Sequence, residues 1–444
     1  MNIIKWFKLE FRSLYMRRML SFEAQQKNSL RREEKRQKEN RSHTVYYFHE
    51  VNDPYSHLCA QILKPLTDHY EIDLVPLIVG KPPKSSTPET EMLMTHSIED
   101  AAMIAPYYNL QFHPLTSEID HQSIEVAQSI LVNCDQSKFI NTAVRVGEAL
   151  WSGNSDELHS MNDSKNHLNN NHLSSVIKKN NMTRKKMGHY FGGVFAYEGE
   201  CYWGIDRLPH LEKRLTEVGA KKGDKEGTVM SKKYSVVNKK QWPELYLDIF
   251  WSGRSPYSYL AMKPLAELRE KYNVELRYQI IQPMVMRGMK INPEKGLYIV
   301  KDCMRIANEN NIPFGNIIDP VGEAVERCYS MFDYVRKNRK EEQYLHAFAK
   351  AVWAEGKHGY LTSTLKTIIN KIDLDWEEAK TELDSTNWTN ETDKNRETLY
   401  KLGKWGPPTM SLSNSEGENL ITVWGQDRIW LIEETIKLMQ VSHN

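Results

Sequence analysis

At 444 residues the chain is too long for one ordinary core and suits two or three domains. Its 40% apolar and 26% charged content is that of a soluble globular protein, and a net charge of +1 gives nucleic acid no electrostatic hold. Cys59, Cys134, Cys201, Cys303 and Cys328 come no closer than 25 residues, which excludes a Cys-x-x-Cys dithiol and fits a reducing, cytoplasmic setting.

The first 42 residues carry 12 Lys/Arg against 5 Glu. Ile4, Phe7, Phe11, Leu14 and Tyr15 recur there at helical spacing, so residues 1–42 read as a basic amphipathic helical arm. No long uninterrupted apolar run is present, so the arm is expected to be neither a signal peptide nor a membrane span. It would lie on protein, its own or a partner's, or on an anionic membrane surface. The first is favoured, because aromatic-rich arms of this kind usually pack on protein. Residues 23–42 suit a solvated helix or a loose connector. Further on, residues 155–183 are rich in Asn, Ser, His and Lys and read as a surface loop with partial helix. Residues 217–243, with Gly219, Gly223, Gly227 and many Lys, read as an interdomain linker.

The next stretch, Leu245-Tyr246-Leu247-Asp248-Ile249-Phe250-Trp251, alternates in the manner of a strand. Beyond it Leu260, Pro264, Leu265, Leu268 and Tyr272 keep helical spacing. Ser255-Pro256-Tyr257-Ser258 stands at the switch, with Ser255 as N-cap and Pro256 at the first helical position. The Ser255 hydroxyl would then lie at the positive end of a helix, a place that suits a thiolate. Many helices begin this way for capping alone. Farther along, Pro408 precedes an apolar run it cannot join as a hydrogen-bond donor, which suggests a tight, cis turn or a plain edge-strand turn. In Val423-Trp424-Gly425-Gln426-Asp427-Arg428 a strand ends in a glycine turn and a helix begins, with Asp427 as a cap or beside an anion site.

Arg254-Ser255-Pro256-Tyr257-Ser258, Pro293-Glu294-Lys295-Gly296, Trp353-Ala354-Glu355-Gly356, Gly403-x-x-Gly406-x-Pro408-Thr409 and Trp424-Gly425-Gln426-Asp427-Arg428 follow in that order. The ordered set resembles the thioredoxin-like family of 2-hydroxychromene-2-carboxylate isomerases and kappa-class glutathione transferases, related to DsbA-like proteins. The resemblance implies an α/β thioredoxin unit with an inserted helical subdomain, and glutathione as cofactor. It implies that Ser255 meets the glutathione sulfur and that Lys295 reaches the tripeptide. Pro407, before a cis Pro408, would pair with the cysteinyl backbone. Gln426 and Asp427 would sit near the γ-glutamyl end. The partner would be an electrophilic small molecule.

The first half repeats the second. Pro54-Tyr55-Ser56 precedes Pro256-Tyr257-Ser258 by 202 residues, and the same offset joins Leu58 to Leu260, Asp100 to Asp302 and Trp151 to Trp353. Asp206-Arg207 precedes Asp427-Arg428 by 221. In the first copy Asp53, Leu93 and Gly193 replace Ser255, Lys295 and Pro408, and a carboxylate at position 53 would repel a thiolate. An acid–base role for His49, Glu50, Asp53 and His57 is the sharper alternative, disfavoured because polar residues at helix starts commonly serve as caps. The expected organisation is an arm, residues 1–42, and a degenerate thioredoxin-like (DsbA-like) domain, residues 43–216. A linker, residues 217–243, and a second such domain with the intact site, residues 244–440, complete it. The two copies are expected to pack on each other, with a homodimer as a further expectation. The rival function is a non-catalytic binding or scaffold protein. Disulfide oxidoreductase activity is disfavoured for want of a dithiol.

Overall fold

In the computed structural model, residues 13–14, 18, 21–115, 117–161, 170–236 and 242–439 are described. The predicted arm residues Ile4, Phe7, Phe11 and Tyr15 lie outside them. The chain divides into two compact units. The first comprises Asn28–Tyr234 together with Asn292–Tyr298. The second comprises the described residues of Met1–Lys27, Ser235–Ile291 and Ile299–Asn444.

The first unit is built on β1 (Thr44–His49), β2 (Asp73–Ile78), β3 (Val194–Tyr197) and β4 (Glu200–Trp203), in the order β2-β1-β3-β4. β1 runs parallel to β2, with Thr44 opposite Asp73, and antiparallel to β3, with Val45 opposite Tyr197. Val45, Tyr47 and Phe48 are fully buried, as expected of a central strand covered on both faces. Gly199, at φ +78°, turns the β3–β4 hairpin. The helices Thr90–Ile104, His121–Val132, Gln136–Ser152, Ser155–Met161 and Asn170–Lys186 all fall between β2 and β3.

The second unit holds β5 (Leu245–Trp251), β6 (Val274–Ile280), β7 (Thr409–Asn414) and β8 (Asn419–Trp424), in the order β6-β5-β7-β8. β5 is parallel to β6 and antiparallel to β7, with Leu247 opposite Leu412. The helices from Pro293–Glu309 to Trp388–Lys401 fall between β6 and β7. Strand order and direction are thus the same in the two sheets. The 202-residue offset recurs in bonds as well. Tyr55 Oη donates to Asp100 at 2.7 Å, and Tyr257 Oη to Asp302 at 2.8 Å. Ser56 Oγ accepts from Glu50 N at 3.2 Å, and Ser258 Oγ from Ser252 N at 3.4 Å.

Of residues 155–183, expected as a surface loop with partial helix, the described part is helical, in Ser155–Met161 and in the longer helix Asn170–Lys186. Two of its asparagines turn inward: Asn180 Nδ2 donates to Ile78 O at 2.9 Å, and Asn181 Oδ1 accepts from Gly80 N at 3.0 Å. They satisfy backbone groups where β2 ends. For residues 23–42 the helical alternative is the one found, as Phe22–Lys38, with Glu33 buried against Arg36.

The Gly- and Lys-rich stretch after the helix Gly204–Glu217 is held by a fully buried carboxylate. Glu212 accepts from Val229 N at 2.6 Å and Met230 N at 3.1 Å, while burial raises its pKa. Glu212→Ala leaves two backbone donors without this acceptor, a loss of roughly 1–3 kcal/mol each. Tryptic cleavage at Lys225 and Lys232 is therefore expected to accelerate at least tenfold with the circular dichroism unchanged. Equal cleavage rates in both proteins would show that the carboxylate does not hold the segment.

Candidate functional site

Ser255 sits where β5 hands over to the helix Pro256–Lys271. Its backbone is extended, at φ −94° and ψ 110°, and its Oγ accepts from Ser258 N at 3.2 Å, so it is a true N-cap. The same hydroxyl donates to Pro407 O at 3.1 Å. The Pro407–Pro408 peptide is cis. Pro408 O accepts from Gly425 N at 2.9 Å, which ties this turn to the one carrying Gln426 and Asp427. Gly425 is required there: its φ is +104°, and a Cβ would stand 2.5 Å from Asp427 Oδ1. Gln426–Arg428 form a single 3₁₀ turn that opens the helix Ile429–Leu438.

The proline turn is braced from both sides. Trp405 is buried and its ring lies 4.4 Å from that of Trp424. Arg287 Nη2 donates to Trp405 O at 2.8 Å, and Thr409 Oγ1 to Gly406 O at 2.7 Å. Pro407 has no N–H, so its edge offers a peptide ligand only the carbonyl. The expected pairing with a cysteinyl backbone is limited to that one bond.

Ser255, Pro407, Pro408 and the Gly425 turn that carries Gln426 and Asp427 are thus joined by direct bonds. Lys295 is not part of this set. It belongs to the first unit, where its Nζ donates to Ser86 O at 2.8 Å. Asn292 Oδ1 caps its backbone N–H at 2.7 Å, and burial pulls the amine down to about 8. No local signal in the sequence announces Ser86 as its partner.

In the first unit the matching position differs in kind. Asp53 caps the helix Pro54–Ala60, its Oδ2 accepting from Ser56 N at 2.9 Å and Ser56 Oγ at 2.7 Å. An ionised carboxylate cannot donate to a carbonyl as Ser255 does. Gly193 O accepts from Gly204 N at 2.8 Å, as Pro408 O does from Gly425 N. Gly193, however, has φ +62°, which a proline ring cannot adopt. A Cβ on Gly192 would fall 2.5 Å from Glu50 Cβ and 2.9 Å from Asp53 Oδ2. The two carboxyl groups are crowded. Burial, then the Asp53 charge, pushes Glu50 up to about 8, against the pull of Arg184 and Lys81. Burial also lifts Asp53 to about 6. Arg184 is buried in the same cluster, its Nη2 donating to Gly80 O at 3.0 Å and Asn181 Oδ1 at 3.1 Å. Nothing local in the sequence points to this arginine, one cation in a polar run. Burial drives His49 down to about 3 and His57 to about 4, so both stay neutral.

The five cysteines are free, and all but Cys134 are buried. Burial holds the Cys59 thiol well above its usual range. Among the described residues no group of three or more His, Cys, Asp or Glu could hold a metal ion, and no helix is long and apolar enough to cross a membrane.

The span from β5 through the helix Ile429–Leu438 therefore holds a complete sheet, a serine-capped helix and a cis-proline turn. Residues 246–437 match the DSBA-like thioredoxin domain. This thioredoxin-like domain contains Ser255, Pro407, Pro408, Gln426 and Asp427. The chain is 24% identical over 203 residues to the 2-hydroxychromene-2-carboxylate isomerase of Pseudomonas putida, covering 43% of this chain and 94% of the relative. A solved 2-hydroxychromene-2-carboxylate isomerase aligns at 24% identity and a TM-score of 0.38, over 45% of this chain and 97% of that one. The cytosolic disulfide reductase DsbM from Pseudomonas aeruginosa with GSH aligns at 15% identity and a TM-score of 0.32, over 44% and 98%.

Proposed function

We propose that the chain is a glutathione-dependent enzyme of the 2-hydroxychromene-2-carboxylate isomerase or kappa-class glutathione transferase type, working in the cytoplasm through its thioredoxin-like domain. The observation that carries this reading is the Ser255 hydroxyl at a helix N-terminus, bonded to the carbonyl that leads into the cis proline. The first unit would be a tandem copy of the same fold whose site has been lost through Asp53, Leu93 and Gly193.

Glutathione, when bound, would supply a thiolate as nucleophile toward an electrophilic carbon, for displacement of a leaving group or for reversible addition that allows a bond to rotate. The chain's part is to bind and activate that thiol. The Ser255 hydroxyl turns from Pro407 O to donate to sulfur, and the helix N-terminus adds a partial positive charge. Pro407 O, once released, accepts from the cysteinyl N–H. Gln426 and Asp427 take the γ-glutamyl end, where a carboxylate suits the ligand's ammonium group. The acceptor is a small electrophile.

A non-catalytic binding protein is the second reading, favoured by Lys295 being taken up by Ser86. Calorimetry with glutathione separates the two. Asp427→Ala should weaken binding about ten- to a hundredfold, the worth of one charged contact. Asp206→Ala, its first-copy counterpart, should leave binding unchanged. Equal losses in both variants, or no heat with the wild type at millimolar glutathione, would overturn the enzyme reading.

A further inference from the structure

The loop that delivers Ser255 is held by residues far from it in sequence. Gly253 N donates to Tyr329 Oη at 3.1 Å, and Tyr329 Oη in turn donates to Ile281 O at 2.8 Å. Ile281 N donates to Trp251 O at 2.8 Å. One phenol thus ties the residue two before Ser255 to the residue that follows β6. Tyr329 is 1% exposed, and burial keeps its hydroxyl protonated far above neutral pH. Next to it in the loop, Arg254 makes a two-pronged ion pair with Asp319, at 2.8 and 2.9 Å. Asp319 is itself held by Val321 N at 3.2 Å. Tyr329 and Asp319 both belong to the short stretch leading into and along the helix Glu323–Ser330. A Cβ on Gly253 would meet Phe348 at 3.2 Å and Val325 at 3.5 Å, so the loop is seated closely on these helices.

The first half keeps the backbone bond, Val79 N donating to His49 O at 2.8 Å, but it has neither the phenol nor the ion pair. Positions 202 residues earlier are Val51, Asn52, Ser117 and Ala127 in place of Gly253, Arg254, Asp319 and Tyr329. None of them can supply the phenol or the ion pair. The clamp is found only beside the copy that keeps the serine.

We propose that Tyr329 and Asp319 are positioning residues that fix the Ser255 hydroxyl at its working place. They act through the loop 252–255 and not by touching a substrate. The proposal rests on the enzyme reading of the Ser255 site. It would hold the backbone that carries Ser255 while the hydroxyl caps its helix and faces the cis-proline turn.

Tyr329→Phe keeps the ring and removes only the hydroxyl. In the ligand-free protein, amide exchange over residues 252–258 should accelerate roughly tenfold, the worth of one hydrogen bond, while exchange in β5 and β7 stays unchanged. With glutathione bound, the thiol titration midpoint should rise, and kcat should fall with KM unchanged. Asp319→Asn should give the same pattern, and Asp319→Glu should restore part of it. Unchanged exchange and an unchanged thiol midpoint in Tyr329→Phe would overturn the clamp while leaving the enzyme reading intact. Failure of the wild type to bind glutathione would overturn the enzyme reading, and the exchange result alone would then decide whether the loop is clamped.

Discussion

Ser255→Ala is expected to raise the pKa of enzyme-bound glutathione thiol by about one to two units, with turnover falling roughly ten- to a hundredfold at neutral pH. The reasoning begins with the hydroxyl proton. Without ligand it is spent on Pro407 O, a neutral bond of modest worth. Moved to a sulfur anion it becomes a charge-assisted bond, about twice as strong. Alanine removes that gain and favours the neutral thiol. It also removes the acceptor for Ser258 N, at a cost of about 1 kcal/mol in helix capping. The domain should survive that loss, because the helix buries Tyr259, Leu260, Leu265 and Leu268 against its core. Thiolate absorbance of the complex, followed against pH in both proteins, gives the midpoint directly. An unchanged midpoint would reduce Ser255 to a helix cap.

Glu50→Gln is expected to flatten the pH dependence of the first unit's stability. In the folded protein Glu50 is raised to about 8 from an ordinary 4.5, by burial first and by Asp53 second. Below the ordinary value both folded and unfolded chains hold the proton, and the folded state has its full stability. As pH rises above it, the unfolded chain releases the proton while the folded chain keeps it. Stability therefore falls with rising pH until the folded group itself ionises near 8. Asp53 adds the same trend up to about 6. At ~1.4 kcal/mol per unit of difference, the wild type should lose a few kcal/mol between mildly acidic and mildly alkaline solution. Glutamine keeps the shape of the neutral carboxyl and cannot ionise. The variant should be more stable than the wild type at pH near 8, by a few kcal/mol, and similar to it at acid pH. Amide exchange in β1 and β3 reads the first unit by itself. A wild-type pH slope that persists in Glu50→Gln would assign it to Asp53 or to another group.

Ser255 at a strand-to-helix switch, the Pro408 turn and the Gly425 turn were all legible in the sequence. Each is written within four or five residues, where capping, a fixed proline φ and glycine's left-handed range act locally. The two sheets share one strand order, and the 202-residue offset pairs the Tyr55–Asp100 bond with the Tyr257–Asp302 bond. The extent of the helix 170–186 was not legible, because Asn, Ser and His have weak local preference for a helix and nothing nearby shows that Asn180 and Asn181 will meet the end of β2. Partner choice across a hundred residues or more lay beyond the sequence as well. Tertiary structure alone sent Lys295 to Ser86, set Arg184 beside Glu50 and Asp53, and turned the Ser255 hydroxyl to Pro407 O. It also brought Tyr329 under Gly253. The physical reason is common to all four. A buried donor or charge must find a partner wherever the packed chain places one, and the sequence records which groups need partners without recording which ones the fold brings within reach.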